Sequence, residues 1–250
     1  MAPLFVVSDV HGYRNDLLEG LAEFGLTTED GRWTGGADAQ LWVLGDLTDR
    51  GPDGIGVVDL VMSLQEQAPE QVHVLMGNHE ALTLGMARFP ESKFADSWII
   101  NGGLASDQIA LTDRHLDWLA GLPLLARAGK HLFMHSDTTA YFEWGSSIDE
   151  INETVRRTLS AADDLDGHWD VWARLTSRYH FSRRKGTSAA RQMLEMLGGE
   201  RIVHGHSIIG TLIGRPSVEV TDPVAYADGQ VLAIDGGRYD GGPLLVVRLE

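Results

Sequence analysis

Short apolar runs and amphipathic stretches take turns along this chain. Leu4 to Ser8 is a short apolar run rich in Val and Phe, and it predicts a buried strand. Asn15 to Phe24 places Leu17, Leu18, Leu21 and Phe24 at helical spacing, which predicts a helix with one apolar side. The cycle then repeats. Leu41 to Leu44 reads as a second strand, and Ile55 to Leu64 as a helix behind the turn-rich Gly51-Pro52-Asp53-Gly54. Val72 to Met76 reads as a third strand, and another helix starts at Glu80 and reaches Met86. Leu132 to Met134, Ile202-Val203, Val231 to Ile234 and Leu244 to Leu249 continue the strand series. Strands alternating with helices in this way predict an α/β fold.

Ile148 to Leu159 and Ala189 to Leu197 carry helical spacing instead, and Asp170 to Tyr179 reads as helical too. The segment from about 137 to 200 that holds them is polar, rich in Trp and Arg, and poor in strand signals. We read it as a helical cap insert over the strand ends. No repeat, low-complexity tract or linker composition interrupts the chain, so 1–250 reads as a single domain.

The polar residues that end the apolar runs carry the chemistry. They are Asp9-Val10-His11-Gly12, Gly45-Asp46-Leu47-Thr48-Asp49-Arg50-Gly51, Gly77-Asn78-His79-Glu80 and His204-Gly205-His206, with His135 after a further run. Ligands of open α/β sheets bind beyond the carboxyl ends of the strands, so these groups belong at one edge. Asp9 and His11 are two residues apart and point to the same side while the strand persists, so they can share one metal ion. Asp46 ends the next strand and is the natural carboxylate to bridge two ions. Asn78 offers an amide oxygen, and His135 and His206 offer imidazoles for the second ion. A nitrogen and oxygen donor set without sulfur suits two divalent cations, taken here as Mn²⁺, with Fe, Zn, Ni, Co or Mg also compatible.

Two such ions about 3.5–4 Å apart lower the pKa of a shared water towards neutrality, and the hydroxide so formed can attack phosphorus in line. His79 is placed to protonate the leaving alkoxide, and Asp49 to orient His79. Arg50 can clamp phosphate oxygens bidentately. Asn78 and Arg174, the latter in Trp172-Ala173-Arg174, are further phosphate contacts. Each motif alone also has a plain structural explanation: a loop, a salt-bridged turn, a helix start capped by Asn78, a glycine turn. Four in order, each behind a strand, leave that explanation little room. His73, His115, His131, His168 and His180 read as structural, His204 as supporting rather than ligating, and Trp169 and Trp172 as packing. Arg183-Arg184-Lys185 reads as a solvated face. Asp137 is read equally as support for His135 or as part of a solvated loop.

Composition narrows the reading further. A hydrophobic share of 43% is that of an ordinary globular core. No apolar stretch approaches the ~18 residues that cross a bilayer. Residues 1–9 show no basic leader and run straight into the first motif, which predicts a cytoplasmic protein. The absence of cysteine excludes disulfides, thiolate metal sites and a cysteine nucleophile. A net charge of −16 disfavours nucleic-acid polymers and anionic membranes as partners. Phosphates then need a local inversion of potential, which metal ions and a few arginines supply.

The motifs resemble those of the bacterial branch of the phosphoprotein phosphatase family, within the calcineurin-like metallophosphoesterases. That family carries Gly-Asp-x-His-Gly, Gly-Asp-x-Val-Asp-Arg-Gly and Gly-Asn-His-Glu, then two separated histidines. Here Ser8 stands for the first Gly and Thr48 for the Val. Asp235-Gly236-Gly237 with Gly241-Gly242 is similar to the bacterial C-terminal signature, whereas the tyrosine-containing signature of eukaryotic protein phosphatases is absent. The resemblance implies a four-layer αββα sandwich of two mixed sheets flanked by helices. It also implies Asp9, His11 and Asp46 on one metal, and Asp46, Asn78, His135 and His206 on the other. His79 with Asp49 would form the acid pair.

The expected activity is metal-dependent hydrolysis of phosphomonoesters, on a phosphoserine or phosphothreonine protein or on a small phosphorylated metabolite. A symmetrical diadenosine tetraphosphate hydrolase is the alternative within the same chemistry; Trp169, Trp172 and Tyr179 are its candidate nucleotide contacts. A catalytically inactive binding module is the alternative of another class. It gains nothing from keeping His79 and Asp49 together.

Overall fold

Period-two alternation along the strands sorts side chains into two separate cores. The computed structural model describes residues 3–250. Its first half runs β1 (Leu4–Val7), α1 (Arg14–Glu23), β2 (Gln40–Val43), α2 (Gly54–Gln67), β3 (Val72–Val74) and α3 (Asn78–Arg88). Helices α4 (Lys93–Ile100), α5 (Ala105–Ala110) and α6 (Asp113–Gly121) lead to β4 (Leu125–Ala128) and β5 (His131–Met134). Then come α7 (Ile148–Ser160), α8 (Leu165–Leu175), α9 (Gly186–Leu197), β6 (Arg201–His204), α10 (Ile209–Ile213), β7 (Val224–Tyr226), β8 (Val231–Ala233) and β9 (Val247–Leu249).

One sheet has the order β3-β2-β1-β9 and the other β4-β5-β6-β8-β7. β1 pairs in parallel with β2, Leu4 opposite Gln40, and antiparallel with β9, Leu4 opposite Leu249. β5, β6 and β8 are parallel, and β4 and β7 close the edges antiparallel. Phe5, Val7, Leu41 and Val43 pack towards the helices, whereas Val6, Trp42 and Leu44 meet Phe133, Val203, Leu232 and Ile234 of the other sheet. Trp42 stacks on Phe133 with ring centres 4.8 Å apart. Each such buried side chain contributes about 1.5–3 kcal/mol. The result is an αββα sandwich of two mixed sheets flanked by helices, the architecture expected from the motifs.

The segment 137–200 contains α7, α8 and α9 and no strand. It forms the crossover between the parallel neighbours β5 and β6, with α8 packed on α3 and α7 on α6. The helix expected over Asp170–Tyr179 lies earlier, because Asp164 accepts from Gly167 N at 2.9 Å and caps a helix that ends at Leu175. The closing strand is shorter than Leu244–Leu249, since Leu244 and Val246 pack against the helical core instead of pairing. Helices α4 to α6 lie between the helix expected to Met86 and the strand expected from Leu132, where no element was expected. Ile99 and Ile100 end α4 facing solvent, and α6 is capped by a reciprocal Thr112–His115 pair in which His takes the usual Glu or Gln position.

Candidate active site

The loops that leave the strands keep the sheet's pairing going for several residues. Asp9 N donates to Gly45 O at 3.0 Å, His11 N to Asp46 O at 2.9 Å and Gly12 N to Leu47 O at 2.8 Å. Gly205 N donates to His135 O at 3.0 Å in the second sheet. Gly45, at φ +93°, passes so close to Gly77 that any Cβ would collide with its backbone nitrogen. Bent this way, Asp9, His11, Asp46, Asp49, Arg50 and His206 all adopt left-handed backbone angles, with φ between 45° and 68°. For residues other than glycine this region is strained, and such strain gathers where geometry serves a function.

The carboxylate of Asp46 sits at the centre. His11, Asp46 and His79 form one group, and Asp46, His135 and His206 a second, each with its donor atoms within 4.8 Å of one another. His11 Nε2 lies 3.6 Å from Asp46 Oδ2, and His135 Nε2 lies 3.3 Å from Asp46 Oδ1. Asn78 Oδ1 is 3.1 Å from His135 Nε2. The far side of each ring fixes its tautomer. His11 Nδ1 donates to Thr48 O at 2.9 Å and His135 Nδ1 to Leu44 O at 2.8 Å, which leaves both Nε2 atoms as lone-pair donors. His206 Nε2 donates to Thr176 O at 3.2 Å and leaves its Nδ1 free. With His135 deprotonated, lone pairs of imidazole, carboxylate and amide converge on one another. The cluster calls for positive charge.

The electrostatics of the cluster point the same way. Burial alone would push the Asp46 carboxyl up, but His135, His79 and His11 overcome this and hold it well below the usual carboxylate range. Burial opposes a charge on His135, yet Asp46 and Asp9 outweigh it and raise the imidazole to about 9. A proton takes the place of a cation there. His11 and His206 stay well below the usual imidazole range, chiefly through burial. The buried N/O donor set fits divalent ions, which the metal expectation requires.

Asp9 accepts from Ser8 Oγ at 2.6 Å and from His206 N at 2.8 Å through Oδ2, so it stands beside the two groups and ties the first and last loops together. His79 Nδ1 is 2.7 Å from Asp49 Oδ2, and its Nε2 is 3.4 Å from Arg50 Nη2. Burial lowers the affinity of His79 for a proton, but Asp46 and Asp49 reverse the balance and its pKa is raised. Arg174, the expected second phosphate contact, is engaged by acidic neighbours. Its guanidinium pairs with Asp170 at 2.8 Å and lies 3.7 Å from Glu143, since the helix register of α8 places Asp170 one turn before it.

One working residue went unread in the sequence. Glu80, the last residue of Gly77-Asn78-His79-Glu80, accepts from Asp46 N at 2.8 Å, Leu47 N at 2.7 Å and Gly77 N at 2.7 Å. Burial, then Asp46, raise it to about 6, so at neutral pH it is ionised and clamps two loops. Glu80→Ala strands three buried donors at about 1–3 kcal/mol each. We expect a loss of at least ~3 kcal/mol in urea unfolding of the metal-free protein. A loss below about 1 kcal/mol would show that the clamp is idle. Asp137 is fully buried, accepting from Ser207 Oγ at 2.6 Å and Tyr179 N at 2.8 Å, so it supports the His206 loop and is no solvated loop residue. His204 donates to or accepts from Tyr226 Oη at 2.7 Å, behind the cluster. Trp169 and Trp172 pack against each other and Phe94. The capping-box spacing marks only the Gly77–Glu80 contact; the remaining partners of Glu80 and Asp137 are brought to them by folding.

An αββα sandwich with His–Asp groups at its strand ends that could hold divalent ions defines a metallophosphoesterase. The chain belongs to the calcineurin-like phosphoesterase family, which matches residues 2–210. Among curated relatives, serine/threonine-protein phosphatase 1 of Salmonella typhimurium is 27% identical over 68% of this chain and 76% of its own. The symmetrical bis(5'-nucleosyl)-tetraphosphatase of Nitrosococcus oceani is 24% identical over 99% of this chain and 93% of its own. The chain spans less than half the length of three other curated relatives that it matches, at 29%, 43% and 16%. A solved cold-active protein-tyrosine phosphatase from a psychrophilic Shewanella superposes with a TM-score of 0.75 at 22% identity, covering 100% of this chain and 76% of that one. It shares the fold. Among the described residues, no helix is long and apolar enough to cross a membrane.

Proposed function

We propose that this protein is a metal-dependent phosphomonoesterase. One observation carries the reading: two buried donor groups share Asp46, and His11 and His135 both turn Nε2 towards its carboxylate. His11 and Asp46, with Asp9 beside them, would hold one divalent ion. Asp46, Asn78, His135 and His206 would hold the other. When bound, the pair of ions supplies a nucleophilic water near neutral pH and polarises the phosphoryl group. Mn²⁺ is our first choice.

Arg50 orients the phosphoryl oxygens. Its Nη2 and the protonated Nε2 of His79 are two donors 3.4 Å apart, an arrangement that an anionic oxygen between them relieves. His79 then gives its Nε2 proton to the leaving oxygen, while Asp49 holds the Nδ1–H and steadies the imidazolium. Arg174 lies two residues before Thr176, whose carbonyl touches His206, and joins the clamp in this reading by exchanging Asp170 for phosphate. We take 1–250 as one domain whose 137–200 crossover selects the substrate, a phosphorylated protein or a small phosphate ester. The dinucleotide alternative has weaker support, because Trp169 and Trp172 are engaged in packing.

The test is hydrolysis of a panel with added Mn²⁺ and again after chelation. The panel holds an aryl phosphate, a phosphothreonine peptide, sugar and nucleotide monophosphates, and diadenosine tetraphosphate. Metal-dependent release from the monoesters is expected. Preference for the dinucleotide favours the alternative, and no turnover with metal bound sinks the reading. A pH profile adds a second check. A general acid acts in its protonated form, so activity on alkyl phosphates falls as pH rises through the His79 pKa. Asp49 is one of the groups that raise that pKa. Asp49→Asn should therefore move the alkaline limb to lower pH, and an unmoved limb would remove Asp49 as its partner.

A further inference from the structure

The turn after β8 reaches into the site from a direction that the strand-end motifs do not cover. Arg238–Asp240 is a single 3₁₀ turn between Gly237 and Gly241, both left-handed. It is fastened on both flanks. Arg238 pairs with Asp16 of α1 and lies over the Tyr13 ring at 4.1 Å. Asp240 accepts from Ser217 Oγ at 2.7 Å, and Gly242 N donates to Gly237 O at 2.9 Å. Tyr239, between the two anchors, is half-buried. Its ring centre lies 3.7 Å from the guanidinium carbon of Arg50 and 5.2 Å from the His11 ring, which it meets at 85°.

Arg50 is thus constrained on every side that the protein can reach. Its backbone N–H donates to Gly102 O at 2.9 Å, Nη2 faces His79, and Nε is buried without an acceptor. The Tyr239 ring covers the flat face. Stacking uses the face of a guanidinium, whereas phosphate is bound through the N–H groups at its edge, so the two do not compete. A guanidinium partly removed from water also attracts an anion more strongly than a solvated one. A flexible arginine would have to lose rotamer freedom at the moment of binding, and here much of that loss has already been met.

We propose that Tyr239 is a positioning residue that stacks on Arg50 and presents its N–H edge to the phosphoryl group, so that this pinned turn sets phosphate affinity. The inference rests on the phosphomonoesterase reading above. It depends on the aromatic face and not on the hydroxyl. Tyr239→Phe keeps the face, and Tyr239→Leu keeps much of the volume without it.

The experiment measures binding of inorganic phosphate to the Mn²⁺-loaded protein by calorimetry, and kcat and KM with an aryl phosphate. Wild type, Y239F, Y239L and R50A are compared, each with its metal content. Y239L should bind phosphate roughly 3- to 30-fold more weakly and raise KM by a similar factor, with metal content and kcat held within about 2- to 3-fold. Y239F should match wild type, and R50A should be weaker than Y239L. If Y239L binds phosphate as tightly as wild type while R50A does not, the inference falls and the phosphomonoesterase reading stands. Y239F as weak as Y239L overturns the stacking role in favour of the hydroxyl. Phosphate binding that ignores Arg50 overturns the underlying reading, and this inference with it.

Discussion

Asp46→Asn should strip the protein of bound metal and of activity together. Both donor groups contain Asp46, so a single neutralised carboxylate weakens two ions at once. Supporting residues around a metal ligand already cost 10- to 100-fold in affinity when changed. A shared direct ligand should cost more than ~10²-fold at each ion. Turnover should fall by at least ~10³-fold, because several kcal/mol of charge stabilisation leave with the ions. The substitution is close to isosteric, and Oδ1 can still accept the hydrogen bond from His79 N, 2.9 Å away in the native chain. Loss of fold is therefore not the expected cause. Metal analysis of the purified variant, alongside its rate with the aryl phosphate, decides the matter. Wild-type metal content with full activity would end the two-ion reading.

His79→Asn should behave oppositely with respect to metal. The geometry leaves His79 two roles, since its Nε2 lies 4.0 Å from Asp46 Oδ2 and it shares a donor group with His11. The short contact to Asp49 and the raised pKa favour the acid. We expect the variant to keep its metal and lose roughly 10²- to 10⁴-fold in turnover, the usual worth of a positioned acid. The loss should be greatest with alkyl phosphates, whose leaving groups need the proton most, and mildest with aryl phosphates. A variant that loses metal along with activity would make His79 a ligand. Equal losses on both substrate types would remove it as the acid.

The meeting of the motifs was legible because each follows a strand, and strand ends on a common edge are neighbours whatever the loop details; that His79 rather than Asp9 joins His11 and Asp46 in one donor group was not. Asp46, His135 and His206 illustrate this: far apart in sequence, they meet because β2, β5 and β6 deliver them to one edge. The helices α4 to α6 were not read: Ser92 and Thr112 are ordinary caps, but the exposed Ile99, Ile100 and Ile109 blur the apolar faces of α4 and α5. Arg174 was read from its Trp-x-Arg context alone, which left out Asp170, four residues earlier on the same helix face. Glu80 and Asp137 escaped for another reason. Apart from Gly77 N, their partners are backbone N–H groups and a serine from distant loops, and such partners leave no spacing to read. Tyr239 lies in a glycine-rich turn whose sequence fits a simple reversal, and only the folded chain shows what it covers.

The left-handed residues described above divide this molecule into places where stability can be improved and places where it cannot. Ala227 and Asp228, in the turn between β7 and β8, have φ of 51° and 56°. They hold no donor group of the site, and glycine there would relieve a cost of about 1 kcal/mol per residue. The same exchange at Asp49 or Arg50 would relieve the same strain and discard the side chain for which it is tolerated. Heat-adapted versions of this chain should therefore drift towards glycine in the hairpin while keeping their tension at the strand ends, and the temperature at which the loops loosen would mark the upper limit of useful work.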